Sequence, residues 1–249
     1  MKISAGIIIT VFSYFTSVAQ QTDNLIKYIW KNDATNITAA VEIYGIQKSD
    51  LSSSCIFYLN NVDTAFKTYS DSLFHAFVNM STLNCPLIKI SFYNAVAPVT
   101  GVKVALFAEE FSQFILGDIK KKYPQIKTNK PIVSGLNFFA IVALNVAINK
   151  SLNINKTALF FNENGAIDLS GIVSLAEAKK LKGKLYLYVN HQKTGESFTD
   201  ALANNLALNS TAVLYKLDHY DSLDTIIVFE EAYYWLMAEG NNYIISNED

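Results

Sequence analysis

Six short apolar runs are separated by stretches with helical spacing, and this alternation constrains the fold more than any single motif. They are Ile56 to Leu59, Leu87 to Phe92, Ile132 to Ser134, Thr157 to Phe161, Lys184 to Val189 and Thr211 to Leu217. Runs this short and this apolar read as strands buried on both faces, as in a parallel sheet covered by helices. Ala39 to Tyr44 forms an earlier strand closed by Gly45. The intervening segments carry helical patterns: Phe66, Tyr69, Leu73 and Phe77 on one side; then Phe107, Phe111, Phe114, Ile115 and Ile119, ending at Lys120-Lys121-Lys122 before Pro124. Cations in a last turn complement the helix dipole, so the lysine run needs no binding role. Phe138 to Ile148 is apolar almost all round, as suits a helix packed centrally on a sheet. Ser174 and Glu177 make a capping box for a helix through Leu181. Further helices are expected near 198–208 and from about Ser222 to Ala238. The class is α/β, with a mostly parallel central sheet and helices on both faces.

The first residues stand apart from this pattern. Met1-Lys2 is a short basic start, Ile3 to Phe15 is largely apolar, and Ser17-Val18-Ala19 offers small residues at the −3 and −1 positions of a cleavage site. Residues 1–19 therefore read as a secretory signal peptide, with export to the periplasm or beyond the cell. The apolar run is shorter than the ~20 residues of a spanning helix, and no cysteine follows for lipid attachment, so no membrane anchor is expected after cleavage. About 230 residues remain, enough for one large domain over 20–249. The formal net charge of −2 argues against a nucleic-acid partner, which wants a basic face. Every basic residue is lysine, so the bidentate arginine clamp for carboxylate or phosphate is missing.

Export makes a disulfide permissible between the two cysteines, Cys55 and Cys85. Each precedes an apolar run, and neighbouring parallel strands would place both thiols near the strands' starting ends. The sequence allows either a bridge or two buried thiols.

Pro131-Ile132-Val133-Ser134 leads into Gly135-Leu136-Asn137-Phe138-Phe139 and then the apolar helix. Strand, tight turn and helix in this order are where serine hydrolases hold Gly-x-Ser-x-Gly. Here Asn137 takes the serine position and Phe139 that of the second glycine. An amide has no ionisable hydroxyl for a histidine to deprotonate, so acyl transfer would lack its nucleophile. The nearest hydroxyl, Ser134, lies on the strand side and is expected to face away from the turn.

From Cys55 to the final helix, the order and spacing resemble the esterase family that includes the enterochelin esterases and the esterase D group, which are α/β-hydrolases. The resemblance rests on Phe111 to Pro124 followed by Lys130 to Gly135, on Gly183 to Val189, and on Asp218-His219-Tyr220-Asp221-Ser222. It implies the α/β-hydrolase fold and a triad whose parts fall on this chain as follows. Asn137 occupies the nucleophile position. His219 fits the general base. Glu196, in the loop after Val189, fits the acid, with Asp200 as second choice. The backbone N–H of Phe138 fits an oxyanion donor, and a backbone donor survives side-chain substitution. A phenylalanine at 139, in place of the family's glycine, is expected to alter helix–strand packing at the turn.

His75, His191 and His219 show no metal-ligand spacing, so no metal and no cofactor are expected. Phe138, Phe139, Phe160 and Phe161 suit core packing, a filled pocket or an apolar binding site. The sequence supports an exported esterase-like protein, without catalysis because of Asn137, kept for a structural use or for binding an ester-like small molecule or a protein. The alternative is an active carboxylic-ester hydrolase in which His219 activates a water held by the Asn137 amide.

Overall fold

The computed structural model describes residues 25–50, 54–61, 85–93, 101–148, 152–161, 180–181, 183–190, 212–218 and 225–238. Eight strands form one sheet: β1 (Ile26–Asn32), β2 (Ile37–Tyr44), β3 (Ile56–Asn61), β4 (Leu87–Phe92), β5 (Ile132–Leu136), β6 (Lys156–Phe161), β7 (Lys184–Asn190) and β8 (Ala212–Asp218). Their order is β1-β2-β4-β3-β5-β6-β7-β8. The run from β4 through β8 is parallel, and β2 is antiparallel to both β1 and β4. The sheet is thus mostly parallel, as the alternation of apolar runs and helical patterns requires.

Period-two alternation divides the strands' side chains between two cores. Phe57, Leu59, Ile88, Ile90 and Phe92 join the core beneath α1 (Gly101–Glu109), α2 (Leu116–Lys122) and α3 (Phe138–Ile148). Ile56, Tyr58, Leu87, Ile132 and Phe160 join the core beneath α4 (Thr225–Met237) on the other face. Both faces are therefore covered, as expected. The helices read near 66–77, 174–181 and 198–208, and the leader over 1–19, lie wholly or mainly outside the described residues.

The hairpin strand β1 is an addition to the sequence reading. Its Ile26, Tyr28 and Trp30 pack against the α1–α3 core, while Lys27, Ile29 and Lys31 are exposed. That alternation and the polar turn at 33–36 are a hairpin pattern. Asn36 closes the turn with a φ of 55°, a left-handed conformation that asparagine tolerates better than most residues.

Between α1 and α2 the helix widens into a π-helical segment, Glu110–Ile115. The sequence explains why. Phe107, Phe111, Ile115 and Ile119 are all buried and recur every four residues. In an α-helix each step of four overshoots a full turn by about 40°, so four such residues would wind off the core. The wider i→i+5 turn takes the excess back. Phe114, which the apolar pattern included, is instead 45% exposed. At the end of α2, Lys122 pairs with Asp118 at 2.9 Å and sits 4.1 Å over the Tyr28 ring, fastening the helix to β1.

Cys55 and Cys85 are free, buried thiols. The strands that follow them are indeed parallel neighbours, with Ile56 opposite Leu87. Cys55 stands one residue before its strand and Cys85 two before its own, so the alternation sends them to opposite faces, Cys55 to the α1–α3 core and Cys85 to the α4 core. Burial pushes the Cys85 thiol up to about 11, against the pull of the Lys48 charge, and raises Cys55 further still. Neither presents a thiolate at neutral pH.

Candidate active site

The turn between β5 and α3 is built by a close approach of backbone to backbone. A Cβ added to Gly135 would stand 2.1 Å from the Phe139 carbonyl oxygen and 2.4 Å from its carbon, so only glycine fits. Asn137 follows at the turn with a φ of 54° and is only 6% exposed. Its N–H donates to the Phe160 carbonyl on β6 at 2.7 Å, and its own carbonyl accepts from the Ala140 N–H at 3.0 Å. Strand, neighbouring strand and helix are locked together through this one residue. A sharp strand-to-helix turn with a positive φ at its tip is the geometry of a nucleophile elbow.

Phe138, partly buried, is the first residue of α3. Its N–H therefore belongs to the first-turn donors that have no partner within a helix. Gly135 meets the backbone of Phe139, and the ring turns into the core, stacked on Phe92 at 5.4 Å with 3° between planes. Phe107 completes the cluster edge-on, 6.0 Å from the Phe138 ring and 5.8 Å from that of Phe139. Phe161 is buried in the α1–α3 core, and Phe160 packs under α4, 4.5 Å from the Phe229 ring. Three of the four phenylalanines near the turn are thus core residues, and Phe138 alone is partly exposed.

Ser134 faces away from the turn, as expected. Its Oγ donates to the Phe57 carbonyl at 3.0 Å and lies 2.6 Å from the Tyr233 hydroxyl. With the serine proton on Phe57, the tyrosine donates to the serine. Burial raises the Tyr233 pKa, its hydrogen bond with Ser134 opposing it, so the phenol stays neutral. The serine is fully buried on the α4 face, out of reach of a ligand at the turn.

The other sequence-derived candidates, Glu196, Asp200 and His219, lie outside the described residues. β7 ends at Asn190 and β8 at Asp218, in register with each other, and both run parallel to β5. The carboxyl ends of β5, β7 and β8 consequently open on the same edge of the sheet, the edge where ligands bind in open α/β sheets. β8 stands three strand spacings, about 14 Å, from β5. Among the described residues no group of three His, Cys, Asp or Glu side chains is placed to hold a metal ion. None of the described helices is long and apolar enough to cross a membrane.

One polar constellation was not read from the sequence. Glu110, at the start of the π-helical segment, is 1% exposed, and both its carboxyl oxygens accept from Asn32 Nδ2 at 3.1 Å. A carboxylate within an amphipathic pattern reads as solvated, and only the strict spacing of four around it hinted at an altered helix.

No family model and no curated protein matches the sequence. Solved structures do resemble it. The esterase Pf2001 of Pyrococcus furiosus superposes with a TM-score of 0.60 at 11% identity, covering 88% of this chain and 90% of that one. A ferulic acid esterase of the anaerobic fungus Anaeromyces mucronatus gives 0.59 at 12% identity, over 86% and 89%. The siderophore hydrolase EstA of Aspergillus nidulans gives 0.53 at 11% identity, over 84% and 94%. Likeness at such identities is likeness of fold, and it bears out the fold that the sequence resemblance implied. The chain has the α/β-hydrolase fold.

Proposed function

We propose that this chain is an exported, non-catalytic protein of esterase fold, in which the elbow serves as a rigid turn beside a binding surface. The observation that carries this reading is Asn137 at the tip of the elbow, with φ 54°. Asparagine is among the few non-glycine residues at ease in that conformation. The turn favours such a residue, and asparagine brings no nucleophile. Ser134, the nearest hydroxyl in the strand, is committed to Phe57 and Tyr233. The surviving Phe138 N–H supplies a donor for a carbonyl or carboxylate, which suits an ester-like small molecule as ligand.

The test is labelling of the mature protein with a fluorophosphonate probe, beside hydrolysis of short-chain p-nitrophenyl esters. The native protein is expected to be unlabelled and inactive. Asn137→Ser would gain labelling if Glu196 or Asp200 and His219 complete a triad. Stoichiometric labelling of any serine in the native protein overturns the proposal. Hydrolysis without labelling, abolished by His219→Ala, would replace it with a water-based esterase.

A further inference from the structure

We propose that Asn32 and Glu110 form a buried latch through which the β1–β2 hairpin sets the position of the aromatic cluster beside the elbow. The Asn32 amide is used at both ends. Its Oδ1 accepts from the Ala34 N–H at 3.1 Å, shaping the hairpin turn, while its Nδ2 donates to both oxygens of Glu110. Only a carboxamide does both. An aspartate would keep the turn but set a carboxylate against a buried carboxylate, which costs far more than a lost neutral bond.

Glu110 opens the π-helical segment, and Phe107 lies less than one turn before it on the same helix. Phe107 in turn touches Phe92, Phe138 and Phe139. The hairpin and the elbow are four strand spacings apart, about 19 Å, yet a single helix carries the contacts of both. An i→i+5 turn holds one residue more than an α-turn, so the segment either contains the wide turn or does not. Loss of the wide turn would rotate one part of the helix against the other by roughly one residue, or 100°. That rotation would withdraw Glu110 from Asn32 or Phe107 from the cluster. The latch holds the wide form, which gives the coupling a physical element with two states rather than a path of mere contacts.

The test is amide hydrogen exchange, resolved along the chain, in Asn32→Asp, Glu110→Gln and the double variant. Asn32→Asp should speed exchange over 107–115 and at the hydrogen-bonded amides of Asn137 and Ala140 by about tenfold or more, with β6, β7 and α4 unchanged. Glu110→Gln, which keeps one acceptor oxygen, should act in the same places but less. In the double variant the new amide at 110 can donate to the new carboxylate at 32, so protection should return at both sites. Acceleration confined to 30–37 and 110–115, with the elbow amides unmoved, overturns the proposal. So does uniform acceleration through the sheet, or a double variant no better protected than Asn32→Asp. Should Asn32→Asp not fold, refolding of the double variant with native protection supports the latch, and its failure refutes it.

Discussion

Ser134 and Asn137 stand three residues apart at the end of one strand, and the regions around them are governed by different physics. Around Asn137, shape is set by backbone: a glycine that admits no Cβ, a positive φ and two main-chain hydrogen bonds. Around Ser134, on the α4 face, shape is set by buried polar side chains. Ser134 bonds Tyr233, and farther along the same row of the sheet Glu42 accepts from Lys27 at 2.8 Å and from the Tyr44 hydroxyl at 2.7 Å. The buried Lys89 ammonium adds its charge at 3.6 Å. The cross-strand register aligns these residues, Glu42 opposite Lys89, Lys89 opposite Tyr58, and Tyr58 opposite Ser134. A backbone-built turn tolerates a change of chemistry at its tip, whereas a side-chain network does not tolerate loss of a member. The turn between β5 and α3 therefore accommodates asparagine at its tip through its backbone.

The contrast is broken most directly at Gly135. Gly135→Ala would drive a methyl against the Phe139 carbonyl, and neither strand nor helix can yield without parting. A loss above about 4 kcal/mol is expected, in the range reserved for severe core lesions. Urea denaturation, or failure to recover folded protein, checks it. A loss below about 1 kcal/mol would mean that the elbow is not held by this contact.

The second prediction concerns the polar row. Burial pushes the Glu42 carboxyl upward, but the hydrogen bonds from Lys27 and Tyr44 and the charges of Lys89 and Lys27 outweigh it and leave its pKa below the ordinary 4.5. Because the folded value is depressed, the stability it contributes is complete above the unfolded value and lost as pH falls through the folded one. Glu42→Gln should cost about 3 kcal/mol at pH 7, chiefly by removing the negative charge 3.6 Å from the buried Lys89 ammonium. Lys27, half-exposed, adds little to that sum. The difference from the native protein should shrink as denaturation is repeated at progressively lower pH below 4.5. An equal difference at every pH would assign the effect to packing rather than charge.

Much of this was legible in the sequence because apolar strands and apolar helices announce their periods. Leu87–Phe92 and Phe138–Ile148 fall where the patterns place them. What escaped had a weaker or mixed pattern. β1 is an edge strand with lysines on its open side, and so lacks a continuous apolar run. The cysteines' separation depended on the parity of their offsets from the strands, a count available in the sequence only once the strands' register was known. Glu110 is buried by a helical distortion and a partner 78 residues away, which no local pattern encodes. At the elbow, glycine, asparagine and helix were readable as a turn, while the direction of the Phe139 ring followed from packing against Phe92 and Phe107.

The smallest expected effect decides what Asn137 is for. If the position is held by its backbone, the residue must tolerate a φ of 54°, and side-chain identity matters little. Asn137→Ala should then cost about 1–2 kcal/mol, the penalty of a Cβ in the left-handed region. Asn137→Gly should fall within about 0.5 kcal/mol of the native protein, since glycine adopts that region freely and loses only unfolded-chain entropy. Thermal or urea unfolding of the pair gives the answer. A gap between alanine and glycine places the residue among the turn's conformational requirements. Equal and larger losses in both would mean that the amide side chain itself is held by its neighbours. In that case the tip of the turn would obey the same rule as the α4 face, and Asn137→Ser would cost stability as well.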